Sequence, residues 1–166
     1  DQALAIRDSL PPFVSAVAVF LDAPAEEVSA VLECVRPDLL QFHGREPESF
    51  CSAFGLPYIK TVPMTGVDPV AFAANYPRAA GFLLDSHAPG QAGGSGQGFD
   101  WSRAPQDLGA PLILAGGLNP ENVADAVRRV RPFAVDVSSG VESSPGIKDA
   151  GLMTAFVKGV QRGDFQ

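Results

Sequence analysis

Gly81-Phe82-Leu83-Leu84-Asp85-Ser86-His87 leads straight into a glycine-rich stretch that closes at Phe99-Asp100-Trp101. Phe82 to Leu84 is a short unbroken apolar run, the pattern of a strand buried on both faces. It delivers one carboxylate, Asp85, at its C-terminal end. The connection beyond it carries Gly93, Gly94, Ser95 and Gly96 and almost no large apolar side chain. Structureless connections longer than about 12–15 residues are uncommon in compact domains and are usually functional or disordered. A strand that ends in an acid and opens into such a loop is how α/β enzymes build a site. The plainer alternative is a buried Asp capping a turn ahead of a surface loop.

Outward from this stretch, strand and helix patterns alternate. Val14 to Leu21, Leu39 to His43, Tyr58 to Val62, Phe82 to Leu84, Leu112 to Ala115 and Phe133 to Val137 read as six strands. Val28, Val31, Leu32 and Val35 form one helical stripe, and Pro47 to Phe54 and Pro69 to Asn75 form short helices. Asn119-Pro120-Glu121 is a helix start, with a capping side chain, a first-turn proline and an acid near the positive end of the dipole. The spacing predicts a last helix over 149–161 with Leu152, Met153, Phe156, Val157 and Val160 facing in. At the other end, Leu4, Ile6 and Leu10 suggest a chain that begins inside an amphipathic helix.

Six strands, each followed by a helix, fit an open doubly wound sheet or a (β/α)₈ TIM barrel. His43, Asp85, Gly116-Gly117 and Ser138-Ser139-Gly140 all follow strands. In an open sheet such residues gather at one switch point, whereas in a barrel they ring one face. The barrel is the better fit, but six strands cannot close it. The expectation is a single N-terminally truncated barrel domain over residues 1–166, with about one and a half βα units lying before Asp1.

The 166 residues suit one domain with a proper core. A formal charge of −7 and a pI near 4.7 argue against nucleic acid or an anionic membrane as partner. No apolar run approaches the roughly 20 residues of a membrane span. Cys34 and Cys51 fall in helical patterns and read as core thiols in a reducing, cytoplasmic setting.

The strand ends carry the chemistry. Ala115-Gly116-Gly117-Leu118-Asn119-Pro120 leads from a strand into a helix N-terminus, where free N–H groups make an anion site without any lysine. Asp136-Val137-Ser138-Ser139-Gly140 adds two hydroxyls and a flexible backbone position. Loops after the last two barrel strands commonly grip a phosphate. Asp85 and Asp136 would share one cavity, and an acid held near another acid and away from water keeps its proton for general-acid work. Against this, strand-end Asp residues often only accept backbone hydrogen bonds. Gln41 and His43 lie on one strand as candidate substrate contacts; His43 could bind a carboxylate, orient an aromatic ring or simply satisfy loop carbonyls. With two histidines and no Cys or Asp cluster at ligand spacing, no metal is expected.

Leu40-Gln41-Phe42-His43-Gly44, Leu83-Leu84-Asp85, Gly93-Gly94-Ser95-Gly96, Gly116-Gly117-Leu118-Asn119-Pro120-Glu121-Asn122-Val123 and Val135-Asp136-Val137-Ser138-Ser139-Gly140-Val141-Glu142 resemble the phosphoribosylanthranilate isomerases, in family order along the whole chain. The resemblance implies an Amadori rearrangement of a phosphosugar–anthranilate substrate in tryptophan biosynthesis, without cofactor or metal. It implies that Asp85 is the general acid, that Asp136 orients sugar hydroxyls and that His43 lies near the anthranilate. By the same resemblance Gly116, Gly117, Ser138, Ser139 and Gly140 hold the phosphate, and Gly93 to Gly96 belong to a lid. A homodimer, or fusion to another tryptophan-pathway enzyme, stays open.

The family's base is a cysteine in a Lys-Ile-Cys-Gly run, and that run does not occur here. Indole-glycerol-phosphate synthase, for which Lys60 would be the strand-end lysine, is a rival, as is ribulose-phosphate epimerase. A non-catalytic phosphosugar-binding module is a third. With the acid present and the base run absent, this polypeptide alone is expected to show little or no isomerase turnover. A steady-state assay on a chain of verified mass checks this; turnover at a normal rate would overturn it.

Overall fold

The computed structural model describes residues 2–86 and 99–164. Six parallel strands form one sheet: β1 (Val17–Phe20), β2 (Leu39–Phe42), β3 (Tyr58–Pro63), β4 (Gly81–Asp85), β5 (Leu112–Leu114) and β6 (Ala134–Val135). Each strand pairs with the one that follows it in the chain, from β1 through to β6. A doubly wound sheet reverses its strand order at a switch point. This sheet has no reversal and winds one way, as a barrel wall does. It also curls, since residues of its two outermost strands, Val19 on β1 and Asp136 just beyond β6, line one cavity.

The helices are α1 (Gln2–Asp8), α2 (Ala25–Val35), α3 (Glu48–Cys51), α4 (Pro69–Ala73), α5 (Val123–Val130) and α6 (Ala150–Asp164). A short antiparallel hairpin, β7 (Glu142–Ser144) and β8 (Ile147–Lys148), lies between β6 and α6. The fourth strand departs from the expected strand–helix alternation: among the described residues only a 3₁₀ turn, Trp101–Arg103, stands between β4 and β5. No described helix is long and apolar enough to cross a membrane.

Strand alternation sorts the side chains into two layers. On β2, Leu40 and Phe42 are fully buried on the helix side, while Gln41 and the following His43 face the inside of the curl. Phe42 is the hub of the helix-side layer, with the rings of Phe20, Phe50, Phe54 and Tyr58 all within 6.1 Å, centroid to centroid. Burying such a ring is worth roughly 1.5–3 kcal/mol.

Three expectations from periodicity need correction. On α6, Phe156 is buried and Val160 half-buried, but Leu152, Met153 and Val157 face outward. The inward stripe runs through Gly159 and Gly163 instead, because α6 lies too close to α5 for side chains there. A Cβ on Gly163 would come within 2.8 Å of the Ala124 carbonyl oxygen. Helix α1 forms as expected but buries none of its residues fully: Leu4 is half-buried and Ile6 exposed. Of the two thiols only Cys51 is buried; Cys34 sits on the exposed side of α2. Apolar spacing locates a helical stripe, whereas burial depends on what packs against it.

At the rim of the sheet lies a buried ion pair. Lys60 and Glu46 are 0% and 5% exposed, and Lys60 Nζ stands 2.8 Å from Glu46 Oε2. Nζ also donates to the carbonyls of Phe42 and Gly44, at 3.3 and 2.7 Å, and lies 5.4 Å from the Tyr76 ring centroid. Glu46 Oε1 accepts from the Asp22 amide at 2.7 Å, and the Glu46 carbonyl accepts from the Tyr76 hydroxyl at 3.0 Å. Removing one member strands a charge out of water, at a cost of about 3–5 kcal/mol. Lys60→Met should therefore lower the urea-denaturation stability by about that amount. Adding Glu46→Gln to it should recover most of the loss, because no buried charge is then left unpaired.

Candidate active site

The parallel direction of the strands brings all their C-terminal ends to one edge of the curled sheet. There a cavity of about 550 Å³ opens, lined among others by Gln41, His43, Asp85, Gly116, Gly117, Asp136, Ser138, Ser139, Gly140 and Lys148. Pockets for small molecules commonly measure about 300–1,000 Å³.

Asp85 ends β4 and is 6% exposed. Its Oδ2 stands 3.6 Å from His43 Nε2, and Ser86 Oγ donates to Oδ1 at 3.3 Å. The Asp85 carbonyl accepts from the Met64 amide at 2.9 Å, which locks the strand end. His43 is tied from the other side: its Nδ1 lies 3.2 Å from Thr61 Oγ1, and its amide donates to the Phe20 carbonyl at 2.8 Å. At 3.6 Å the Asp85 carboxyl and the His43 ring are in contact without a hydrogen bond, and the Thr61 hydroxyl donates to or accepts from Nδ1 according to the tautomer of the ring.

Asp136 follows β6, its amide donating to the Leu114 carbonyl at 2.8 Å. Burial inside the curl raises its pKa, and the Asp85 charge raises it further, against smaller lowering effects of His43 and Lys148. Asp136 is nonetheless an exposed residue, so solvent screens much of this shift. An acid whose folded-state pKa is raised adds stability only while it is protonated. That contribution is complete below the ordinary value of 3.8 and is lost as pH rises through the raised value.

The turns after β5 and β6 are shaped by glycine backbone. Gly116 and Gly117 both take positive φ, +81° and +68°. A Cβ on Gly116 would stand 2.8 Å from the Ser86 amide nitrogen. Gly140 packs so tightly on the Leu118 carbonyl that a Cβ there has no room. Asn119 and Asn122 cap each other: Asn119 Oδ1 accepts from the amide of Asn122 at 3.1 Å, and Asn122 Oδ1 accepts from the amide of Asn119 at 2.9 Å. This is a capping box built with Asn. It keeps the turn that leads into α5 in a helix-entry conformation, although regular helix starts only at Val123.

Lys148 was not foreseen from the sequence, which pointed to an anion site without any lysine. The β7–β8 hairpin folds it back over β6, where Nζ donates to the Ser138 carbonyl at 2.9 Å, to Ser138 Oγ at 3.2 Å and to Glu142 Oε1 at 2.6 Å. Hairpin register joins positions 142 and 148, and Pro145-Gly146 at the turn is its mark in the sequence. Lys60, weighed as an acid for a synthase, is buried among carbonyls and does not line the cavity. Neither Cys34 nor Cys51 lines it. His87, Gly93, Gly94, Ser95 and Gly96 lie outside the described residues. Among the described residues no cluster of His, Cys, Asp and Glu could hold a metal ion.

The family model for N-(5′phosphoribosyl)anthranilate (PRA) isomerase matches residues 2–159. The chain belongs to this family. It is 54% identical to the N-(5′-phosphoribosyl)anthranilate isomerase of Stenotrophomonas maltophilia (strain R551-3), over 98% of this chain and 76% of that protein. It superimposes on the crystal structure of phosphoribosyl anthranilate isomerase from Thermotoga maritima with a TM-score of 0.85 and 42% identity, covering 96% of this chain and 78% of that one. A structure of such an isomerase in complex with reduced 1-(o-carboxyphenylamino)-1-deoxyribulose 5-phosphate matches with a TM-score of 0.82 and 39% identity, over 96% and 77% of the two chains. Another structure from Thermotoga maritima, of mutually generated monomers, describes its isomerase as dimeric.

Asp136→Asn should raise stability at pH 7, where the wild-type carboxylate must ionise at a disfavoured site. The gain should fade below the ordinary carboxylate range, where both side chains are neutral. Urea denaturation of both proteins across pH 3–7 checks the sign; an advantage that grew toward low pH would contradict it.

Proposed function

We propose that this chain is a phosphoribosylanthranilate isomerase of tryptophan biosynthesis, and that the cavity binds its substrate with the phosphate at the β5–β6 end. The observation that carries the reading is the layout of the cavity. An acid paired with a histidine stands beside a second carboxylate, and across from them lie backbone turns fit for an anion. In N-(5′-phosphoribosyl)anthranilate the ring oxygen and the phosphate sit at separate points of one sugar, so the two ends of the cavity suit the two ends of the substrate.

In this mechanism Asp85 gives its proton to the ribose ring oxygen, and the C1′–O bond breaks to leave a Schiff base with the anthranilate nitrogen. A base then takes the C2′ proton, and its electron pair forms the enolamine, which tautomerises to the ketone 1-(2-carboxyphenylamino)-1-deoxyribulose 5-phosphate. Asp136 orients the sugar hydroxyls, while His43 and Gln41 meet the anthranilate side. Gly116, Gly117, Ser138, Ser139 and Gly140 hold the phosphate. Held as it is by Lys148, the Ser138 hydroxyl is already placed for an anion. Neither Cys34 nor Cys51 reaches the cavity to serve as the base. The curled sheet makes up six strands of an eight-stranded barrel in this reading, since two further parallel strands between β6 and β1 would complete the ring. Cytoplasmic residence and self-association belong to the same reading.

Asp85→Asn keeps the shape of the site but removes the transferable proton. In a preparation that turns over, kcat should fall by about 10²–10⁴-fold. Affinity for the reduced product analogue should change little, which calorimetry checks. Undiminished turnover would overturn the assignment, and a site that bound the analogue but never turned over in any preparation would mark a binding module.

A further inference from the structure

The Lys60–Glu46 pair does not touch the cavity, yet its bonds reach the cavity rim. Lys60 Nζ donates to the carbonyls of Phe42 and Gly44, the residues on either side of His43. Glu46 carries the tie onward through Oε1 to the Asp22 amide, in the turn that follows β1. Asp22 takes a left-handed φ of 52°, and its Oδ1 accepts from the Arg45 amide at 2.6 Å. Gly44 packs so closely on Asp22 that a Cβ would collide with the Asp22 carboxylate. The ends of β1 and β2 and the middle of β3 are thereby fastened around one ammonium group.

A fully buried ion pair is, as a rule, no more stabilising than well-packed apolar side chains of the same volume. Its worth here is in what it orients. An apolar side chain at position 60 could fill the space, but it could not hold two carbonyls that flank one histidine. The neighbouring Thr61 fixes the His43 ring itself through Nδ1. Consecutive residues of one strand point to opposite faces. Lys60 therefore holds the His43 backbone from the helix layer while Thr61 holds the ring from inside the curl.

We infer that Lys60 and Glu46 are positioning residues, which set the His43 ring against Asp85 and so keep the acid of the proposed isomerase in register with its substrate. The inference rests on that isomerase reading for its catalytic meaning. Its structural content can be tested without turnover.

The test compares the 166-residue chain with Lys60→Met/Glu46→Gln, which removes both buried charges together. The ¹⁵N signals of the histidine rings are recorded across pH, with His43 assigned by its loss in His43→Asn. Wild type should show a single His43 tautomer. The double variant should remain folded but show mixed tautomers and a displaced His43 titration. Its affinity for inorganic phosphate, bound at the far end, should stay within about twofold. Where turnover is measurable, kcat should fall on the order of 10–100-fold with KM moved less than about threefold. His43 signals and titration identical to wild type would overturn the inference. Should the double variant not fold, Lys60→Arg gives the same comparison, because a planar guanidinium cannot sit in the same two-carbonyl corner. Unmoved His43 signals there would overturn it too. Because the ring signals need no turnover, they report on the pair even in a chain that is not an isomerase.

Discussion

Each of the first five strands hydrogen-bonds to its successor in the chain, and all six run in the same direction. The rest of the molecule follows from that pairing. Parallel neighbours need a crossover on the return, and crossovers of one hand place the helices on one side. The other side is left to curl around a cavity. The same pairing brings every C-terminal strand end to one rim, so residues as far apart as Gln41, Asp85 and Ser139 line a single space. The register runs across the sheet without a slip: Phe20 opposite Phe42, Phe42 opposite Lys60, Pro63 opposite Asp85.

The two layers of this sheet handle polar groups differently. On the helix side the Phe42 aromatic cluster supplies apolar burial, and Lys60 with Glu46 is admitted only with its bonds made to carbonyls, an amide and each other. On the cavity side, polar groups line open space. Asp85 faces His43, Asp136 is pushed toward its protonated form by burial and by Asp85, and Lys148 is parked on Ser138 and Glu142. Two acids of unequal environment thus share one cavity with a lysine and two glycine-shaped turns. The solved relative that carries a carboxyphenylamino-deoxyribulose phosphate belongs to the same family as this chain.

Much of this was legible in the residues themselves. The apolar runs that became β2 to β5 lie within a residue or two of their final bounds, because continuous apolar runs between turn residues have few other uses. Asn119-Pro120-Glu121 announced a helix entry, and the structure makes it through the reciprocal Asn119–Asn122 bonds. Of the run Phe133 to Val137 only Ala134 and Val135 pair, and β6 has β5 as its single partner within the sheet.

The sequence by itself determined the order of strands and helices, the acids at strand ends and the glycine turns, since these depend on local pattern and backbone freedom. Only the tertiary structure decided which helical stripe was buried. On α6 the close approach to α5 selected Gly159 and Gly163 over Leu152, Met153 and Val157. It alone brought Lys148 to Ser138 and Lys60 to the carbonyls around His43, because those contacts join residues 10 and 16–18 positions apart through strand register. Periodicity reports what one segment offers; partners are chosen by how the segments meet.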